Sequence, residues 1–148
     1  MEVQKDFKEL LALFKENRVD YVIVGAYALA FYGAPRQTGD IDLLVKPDAE
    51  NGIRIVEALA KFGFKSLGFS KEDFAKPDQI IQLGYPPVRI DLITSLTGAA
   101  WEEVAENRVL GTYADLEVYY IGKEQFIINK RATGRKKDLA DLEAIGED

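Results

Sequence analysis

The 148-residue sequence contains no histidine and no cysteine. Those two absences exclude Ser-His-Asp and Cys-His nucleophile systems. They also exclude thiolate or imidazole zinc sites, disulfides and thioredoxin-type redox motifs. Catalysis, if present, must run on carboxylates, lysine, arginine, hydroxyls, backbone amides and a hard metal ion. Oxygen ligands of that kind suit magnesium or manganese. No run of 18 apolar residues occurs, so no membrane span is expected. The charged start, Met1 to Asp6, lacks the apolar core of a signal peptide, and a cytoplasmic location is the expectation. No repeat, low-complexity tract or Gly/Ser linker divides the chain.

What is present reads as one domain over residues 1–148, with 47% hydrophobic and 30% charged residues. A chain of this size buries roughly 68–70% of its unfolded surface, enough for a single core. Nineteen Lys and Arg against 25 Asp and Glu give a net charge of −6. That balance serves solubility and argues against sequence-blind coating of nucleic acid, while leaving room for a local basic groove.

Apolar spacing predicts a helix from Asp6 to Glu16, with Phe7, Leu10, Leu11 and Phe14 on one face. Tyr21–Val24 reads as a buried strand ended by Gly25, and Ala26–Tyr32 as a helix. Residues 33–39 form a loop by composition. Asp40–Val45 is a second strand, and Asp48 caps a helix that runs to about Phe62. Further along, the pattern predicts a short strand at Phe64–Leu67, a loop from Ser70 to Pro77, and strands at Gln79–Leu83 and Val88–Ile93. A helix follows at Thr97–Glu106, then a strand at Glu117–Ile121 and helices at Lys123–Ala132 and Lys136–Ile145. The middle strands follow one another without helices. The expected fold class is therefore α/β (α+β), a mixed β-sheet flanked by helices, with helices 123–145 part of the same domain.

Three features bear on chemistry. Gly25-Ala26 lies at a strand-to-helix junction, where outward backbone amides can meet an anion. Asp40 and Asp42 alternate with Ile41 and Leu43, which puts both carboxylates on one strand face with Cα atoms about 6.6 Å apart. Like charges so placed repel by on the order of 4 kcal/mol per close pair at intermediate dielectric. Asp91 is a lone carboxylate in the apolar run Val88–Ile93. Arg89 shares its strand face, so an Arg–Asp pair is the alternative use of Asp91. Two divalent cations about 3.5–4 Å apart would relieve the repulsion among three such carboxylates. Tyr27, Tyr32, Tyr119 and Tyr120 read as core or rim aromatics.

Gly25-Ala26, thirteen residues, then Asp40-Ile-Asp42 with Asp91 later, resembles the minimal nucleotidyltransferases of the DNA polymerase β-like superfamily. The stretches Val22–Gly33 and Arg36–Asp42 are similar to the abortive-infection type found in toxin–antitoxin pairs. Lys130-Arg131, Arg135–Asp138 and Asp141 resemble that group's closing helical signature. The resemblance implies a nucleotidyltransferase fold, a nucleoside triphosphate substrate and Mg²⁺ or Mn²⁺ on Asp40, Asp42 and Asp91. It further implies nucleotide contacts from Gly25, Ala26, Arg36, Thr38 and Lys130, with Asp91 as general base. Ala26 departs from the family's usual glycine or serine and has no hydroxyl to offer a phosphate. The acceptor stays open among RNA such as tRNA, a protein and a small molecule. An antitoxin partner or a homodimer would supply additional surface. The alternative is a degenerate nucleotide- or partner-binding module on the same fold. An Asp-x-Asp phosphatase is excluded by Leu43-Leu44, where that chemistry needs a small hydroxyl residue.

Overall fold

The computed structural model describes residues 3–36, 38–63, 68–85 and 88–147. Among them, six strands form one mixed sheet in the order β3-β4-β2-β1-β6-β5. The strands are β1 (Tyr21–Val24), β2 (Asp40–Val45), β3 (Ile80–Tyr85), β4 (Val88–Ile93), β5 (Val109–Tyr113) and β6 (Leu116–Tyr120). The centre is β1, antiparallel to β2 and parallel to β6, while β2 runs parallel to β4. Both outer pairs, β3–β4 and β5–β6, are antiparallel. Seven helices accompany the sheet: α1 (Lys5–Glu16), α2 (Gly25–Phe31), α3 (Ala49–Phe62), α4 (Lys71–Ala75), α5 (Trp101–Glu106), α6 (Lys123–Thr133) and α7 (Lys136–Ala144).

Period-2 alternation divides the sheet's two faces. Ile23, Ile41, Leu43, Ile90 and Leu92 point to one side, where Phe7, Leu10, Leu11 and Phe14 of α1 and Ile55, Ala58 and Leu59 of α3 cover them. Val22, Val24 and Leu44 point to the other, against Ala28 and Leu29 of α2, Val104 of α5 and Phe126 of α6. Each large side chain so buried contributes about 1.5–3 kcal/mol. Asp48 caps α3 by accepting from the Asn51 amide at 2.7 Å, and Gly63 ends it in the left-handed region at φ +105°.

Three expectations change. Ser70–Pro77 is not all loop, because Ser70 and Asp73 form a capping box that starts α4, whose Phe74 is fully buried. The helix around Trp101 begins at Trp101 rather than Thr97, since Leu96 and Ala99 are held in a β-bridge. Strand β5 was not expected at all: Val109 and Leu110 are exposed on the sheet edge, and Gly111 interrupts the pattern. Glycine is required there, because a Cβ would press on the rings of Phe31 and Tyr120, which stack at 4.1 Å. The expected strand at Phe64–Leu67 lies outside the described residues. Tyr27 and Tyr120 are core, Tyr32 lies half-buried, and Tyr119 sits at the rim under the Arg108 guanidinium at 4.3 Å. No described helix is long and apolar enough to cross a membrane.

Candidate active site

Strand β2 begins where the second-face cover ends. Asp40 and Asp42 therefore stand half-exposed at the mouth of a cleft, whereas Leu44, two residues on along the same face, is buried. Register places Asp42 between Val24 of β1 and Asp91 of β4, and Asp40 beside Arg89. Arg89 spans the group. Its Nε donates to Asp91 Oδ1 at 2.9 Å, and its Nη2 donates to Asp40 Oδ2 at 3.0 Å and Asp91 Oδ2 at 3.3 Å. The structure thus sets the three expected carboxylates at neighbouring strand positions around Arg89 and forms the Arg89–Asp91 pair that the sequence left as an alternative.

Burial, then the charge and hydrogen bonding of Asp91 and the charge of Asp40, push the Asp42 carboxyl up to about 6, partly offset by Lys130. A cation beside Asp42 would remove that penalty. Hard carboxylate oxygens on Asp40 and Asp42 suit Mg²⁺ or Mn²⁺. Among the described residues, however, no three acidic side chains are gathered in a way that could hold one metal ion. Asp40 and Asp42 offer hard oxygen donors to the cleft, and Asp91 is turned to Arg89.

Gly25 opens the same cleft from the β1–α2 junction. Its φ is +69°, and a Cβ there would overlap Asp42 Oδ2. The position therefore demands glycine twice, for its backbone angle and for the approach of Asp42. Val24, the N-cap of α2, has no side chain able to cap, and it forms no side-chain cap hydrogen bond. Ala26 lines the cleft beside Gly25. If the cleft takes a nucleoside triphosphate, as the resemblance implies, Gly25→Ala should weaken that binding at least tenfold in calorimetric titration while far-ultraviolet circular dichroism is unchanged. Unaltered affinity would remove this turn from the site.

The facing wall is cationic. Arg36, Lys130, Arg135 and Lys137 line a cleft of about 400 Å³. Lys130 Nζ is buried against Asp138 Oδ1 at 3.2 Å and Asp141 Oδ2 at 3.1 Å. Arg36 Nη1 donates to Asp141 Oδ1 at 2.8 Å, and Arg135 Nε to Asp138 Oδ2 at 2.7 Å. Burial raises the Asp138 carboxyl, but hydrogen bonds from Arg135, Thr133 and Lys130 outweigh that and hold it well below the usual carboxylate range. Lys130 is thus buried in the network, whereas Arg135, paired to Asp138, is 58% exposed and Lys137 is exposed at the cleft. Thr38 accepts from the Asp40 amide at 3.2 Å and so shapes the loop that enters β2.

Sequence reasoning did not place Ser95, Thr97, Asn129 or Thr133 at the site. They line the cleft because α6 docks on the β4–α5 connection, where Asn129 Nδ2 donates to the Thr97 carbonyl at 2.8 Å. No local pattern marks that contact. Arg135 was visible only as part of the closing helical signature, Arg135–Asp138.

No protein-family model matches the chain, and none of the curated proteins matches it. Solved structures do. A protein assigned as a nucleotidyltransferase (TM1012) from Thermotoga maritima superposes with a TM-score of 0.60 at 12% identity, covering 93% of this chain and 88% of that one. The lincosamide antibiotic adenylyltransferase LnuA, solved with lincomycin bound, gives a TM-score of 0.57 at 16% identity and covers 98% of each chain. The antibiotic-resistance factor ANT(2'')-Ia, solved with adenylyl-2''-tobramycin, gives 0.57 at 14% identity, with 94% and 84% coverage. This chain has the nucleotidyltransferase fold, a single domain with the mixed sheet and flanking helices that the sequence led us to expect.

Proposed function

We propose that this chain is a metal-dependent nucleotidyltransferase that moves a nucleoside monophosphate from a nucleoside triphosphate to an acceptor hydroxyl. One observation carries the reading: Asp40 and Asp42 on one strand face, across a cleft from a cationic wall, with the Gly25 turn between them. In this reading the triphosphate lies along the cleft. Arg36, Arg135 and Lys137 hold its outer phosphates, and Gly25 lets the backbone approach them. Lys130 keeps that wall in place from below. A Mg²⁺ or Mn²⁺ ion on Asp40 and Asp42 would supply charge neutralisation at the α-phosphate.

The acceptor oxygen attacks the α-phosphorus as the bond to the pyrophosphate oxygen breaks. Asp91, the general base that the resemblance implies, takes the hydroxyl proton on a carboxylate lone pair left free by its Arg89 hydrogen bonds, and the cationic wall carries the leaving pyrophosphate's charge. An activity of the toxin type, on RNA such as tRNA or on protein and held in check by an antitoxin partner, belongs to the same proposal. So does a small-molecule acceptor of the kind named for LnuA and ANT(2'')-Ia. Incubating the protein with each α-labelled triphosphate and with separate RNA, protein and small-molecule fractions of a lysate tests it. Label in one fraction, matched by pyrophosphate release, is the expected result.

Ala26 favours a second reading, a nucleotide-binding module without turnover, because its methyl offers no hydroxyl to a phosphate. Nucleotide binding with no label transfer to any fraction would select that reading.

A further inference from the structure

The nucleotidyltransferase reading carries with it the expectation of two cations, and Arg89 lies among the carboxylates that would hold them. The residue is on β4, two before Asp91, so both side chains leave the same face of the sheet. Across the parallel pairing its neighbour is Asp40, and Asp91's neighbour is Asp42. The guanidinium fork grips both oxygens of Asp91, at 2.9 and 3.3 Å, and reaches Asp40 Oδ2 at 3.0 Å. Asp91 is 7% exposed beneath it. A guanidinium does not give up its proton in a protein, so this positive charge is permanent. Three carboxylates less one guanidinium leave two negative charges, the charge of one divalent cation. Two cations beside Arg89 would leave these side chains and ions net positive before the charge of a triphosphate is counted.

We propose that Arg89 stands in place of the second divalent ion. The site takes a single Mg²⁺ or Mn²⁺ at Asp40 and Asp42, and the guanidinium held by Asp40 and Asp91 supplies the other positive charge. Asp91 then works as a carboxylate anchored by arginine rather than as a metal ligand. The inference rests on the proposed function, and its test separates the two.

The test is a Mn²⁺ titration followed by electron paramagnetic resonance, with a nucleoside triphosphate whose α,β-bridging oxygen is replaced by methylene. The wild-type chain is expected to bind one Mn²⁺, with no signal from coupled ions. Arg89→Gln, checked for its fold by near-ultraviolet circular dichroism, is expected to bind two, with the coupling of ions about 4 Å apart. Two ions in the wild type would overturn the inference and leave the proposed function standing. A single ion in folded Arg89→Gln would also overturn it, since Asp91 would then be no ion site even when freed. No nucleotide-dependent Mn²⁺ at all in the wild type would overturn the metal-dependent reading itself. The wild-type count decides the matter even where the variant does not fold.

Discussion

Asp42→Asn is expected to abolish nucleotidyl transfer, because it removes one of the two carboxylates proposed to hold the divalent ion. The same substitution should change stability in the opposite direction. Asp42's carboxyl is pushed from its ordinary 3.8 up to about 6, by burial first and then by Asp91 and Asp40. Between those values the folded chain holds a proton that the unfolded chain has released, so stability falls as pH rises. The favourable contribution is whole below the ordinary value and lost above about 6. At pH 8 the cost of the ionised group reaches at most about 3 kcal/mol.

Metal-free Asp42→Asn should therefore melt about 4–8 °C above the wild type at pH 8, with the difference closing near pH 4. Saturating Mg²⁺, at 100 times its dissociation constant, should add about 2.7 kcal/mol to the wild type and little to the variant. Scanning calorimetry across pH, with and without Mg²⁺, reads all three effects. Equal Mg²⁺ shifts in both proteins would remove Asp42 from the ligand set.

Asp138→Ala should be the most damaging substitution away from the sheet. Asp138 is fully buried and takes hydrogen bonds from Lys130 and from both the backbone and side chain of Arg135. Removing it leaves the buried Lys130 ammonium on Asp141 alone. Breaking one side of a buried pair costs about 3–5 kcal/mol. For a domain of this size that is a fall in Tm of about 8–15 °C. Arg135→Ala should cost far less, because the Arg135 side chain is 58% exposed and screened by water.

The acid side has a definite sign. Asp138 is held below its ordinary value, so its contribution is present above that value and lost as pH falls through the lowered one. Asp138→Ala should therefore flatten the acid limb of the wild-type stability curve. Equal melting temperatures for Asp138→Ala and the wild type would show that the network only decorates the cleft wall.

The local structure that frames the candidate site was legible in the sequence. Asp40 and Asp42 stand half-exposed while Ile41 and Leu43 are buried, which is strand alternation and nothing more. Phe7, Leu10, Leu11 and Phe14 of α1 are buried as their spacing requires, and Asp48 caps α3 as its place before the apolar run suggests. These features are local: a period of two or of 3.6, or a side chain reaching three residues along its own chain, is written in consecutive letters.

The rest depended on which segments meet. Strand β5 lies on an edge, where one face is open to water and a glycine must make room for Phe31 and Tyr120, so its residues carry no alternation to read. Arg89 could pair within its own strand by sequence alone, but its hold on Asp40 exists only because β2 and β4 run parallel in that register. The resemblance led us to expect a phosphate contact from Lys130, and its burial against Asp138 and Asp141 appears only when α7 folds back on α6. The sequence by itself determined which chemistry is possible and which strand faces carry carboxylates, because composition and alternation act over neighbouring residues. The tertiary structure decided how each charge is neutralised, because an ion pair forms between whichever groups the long-range packing sets within 3 Å or so of each other.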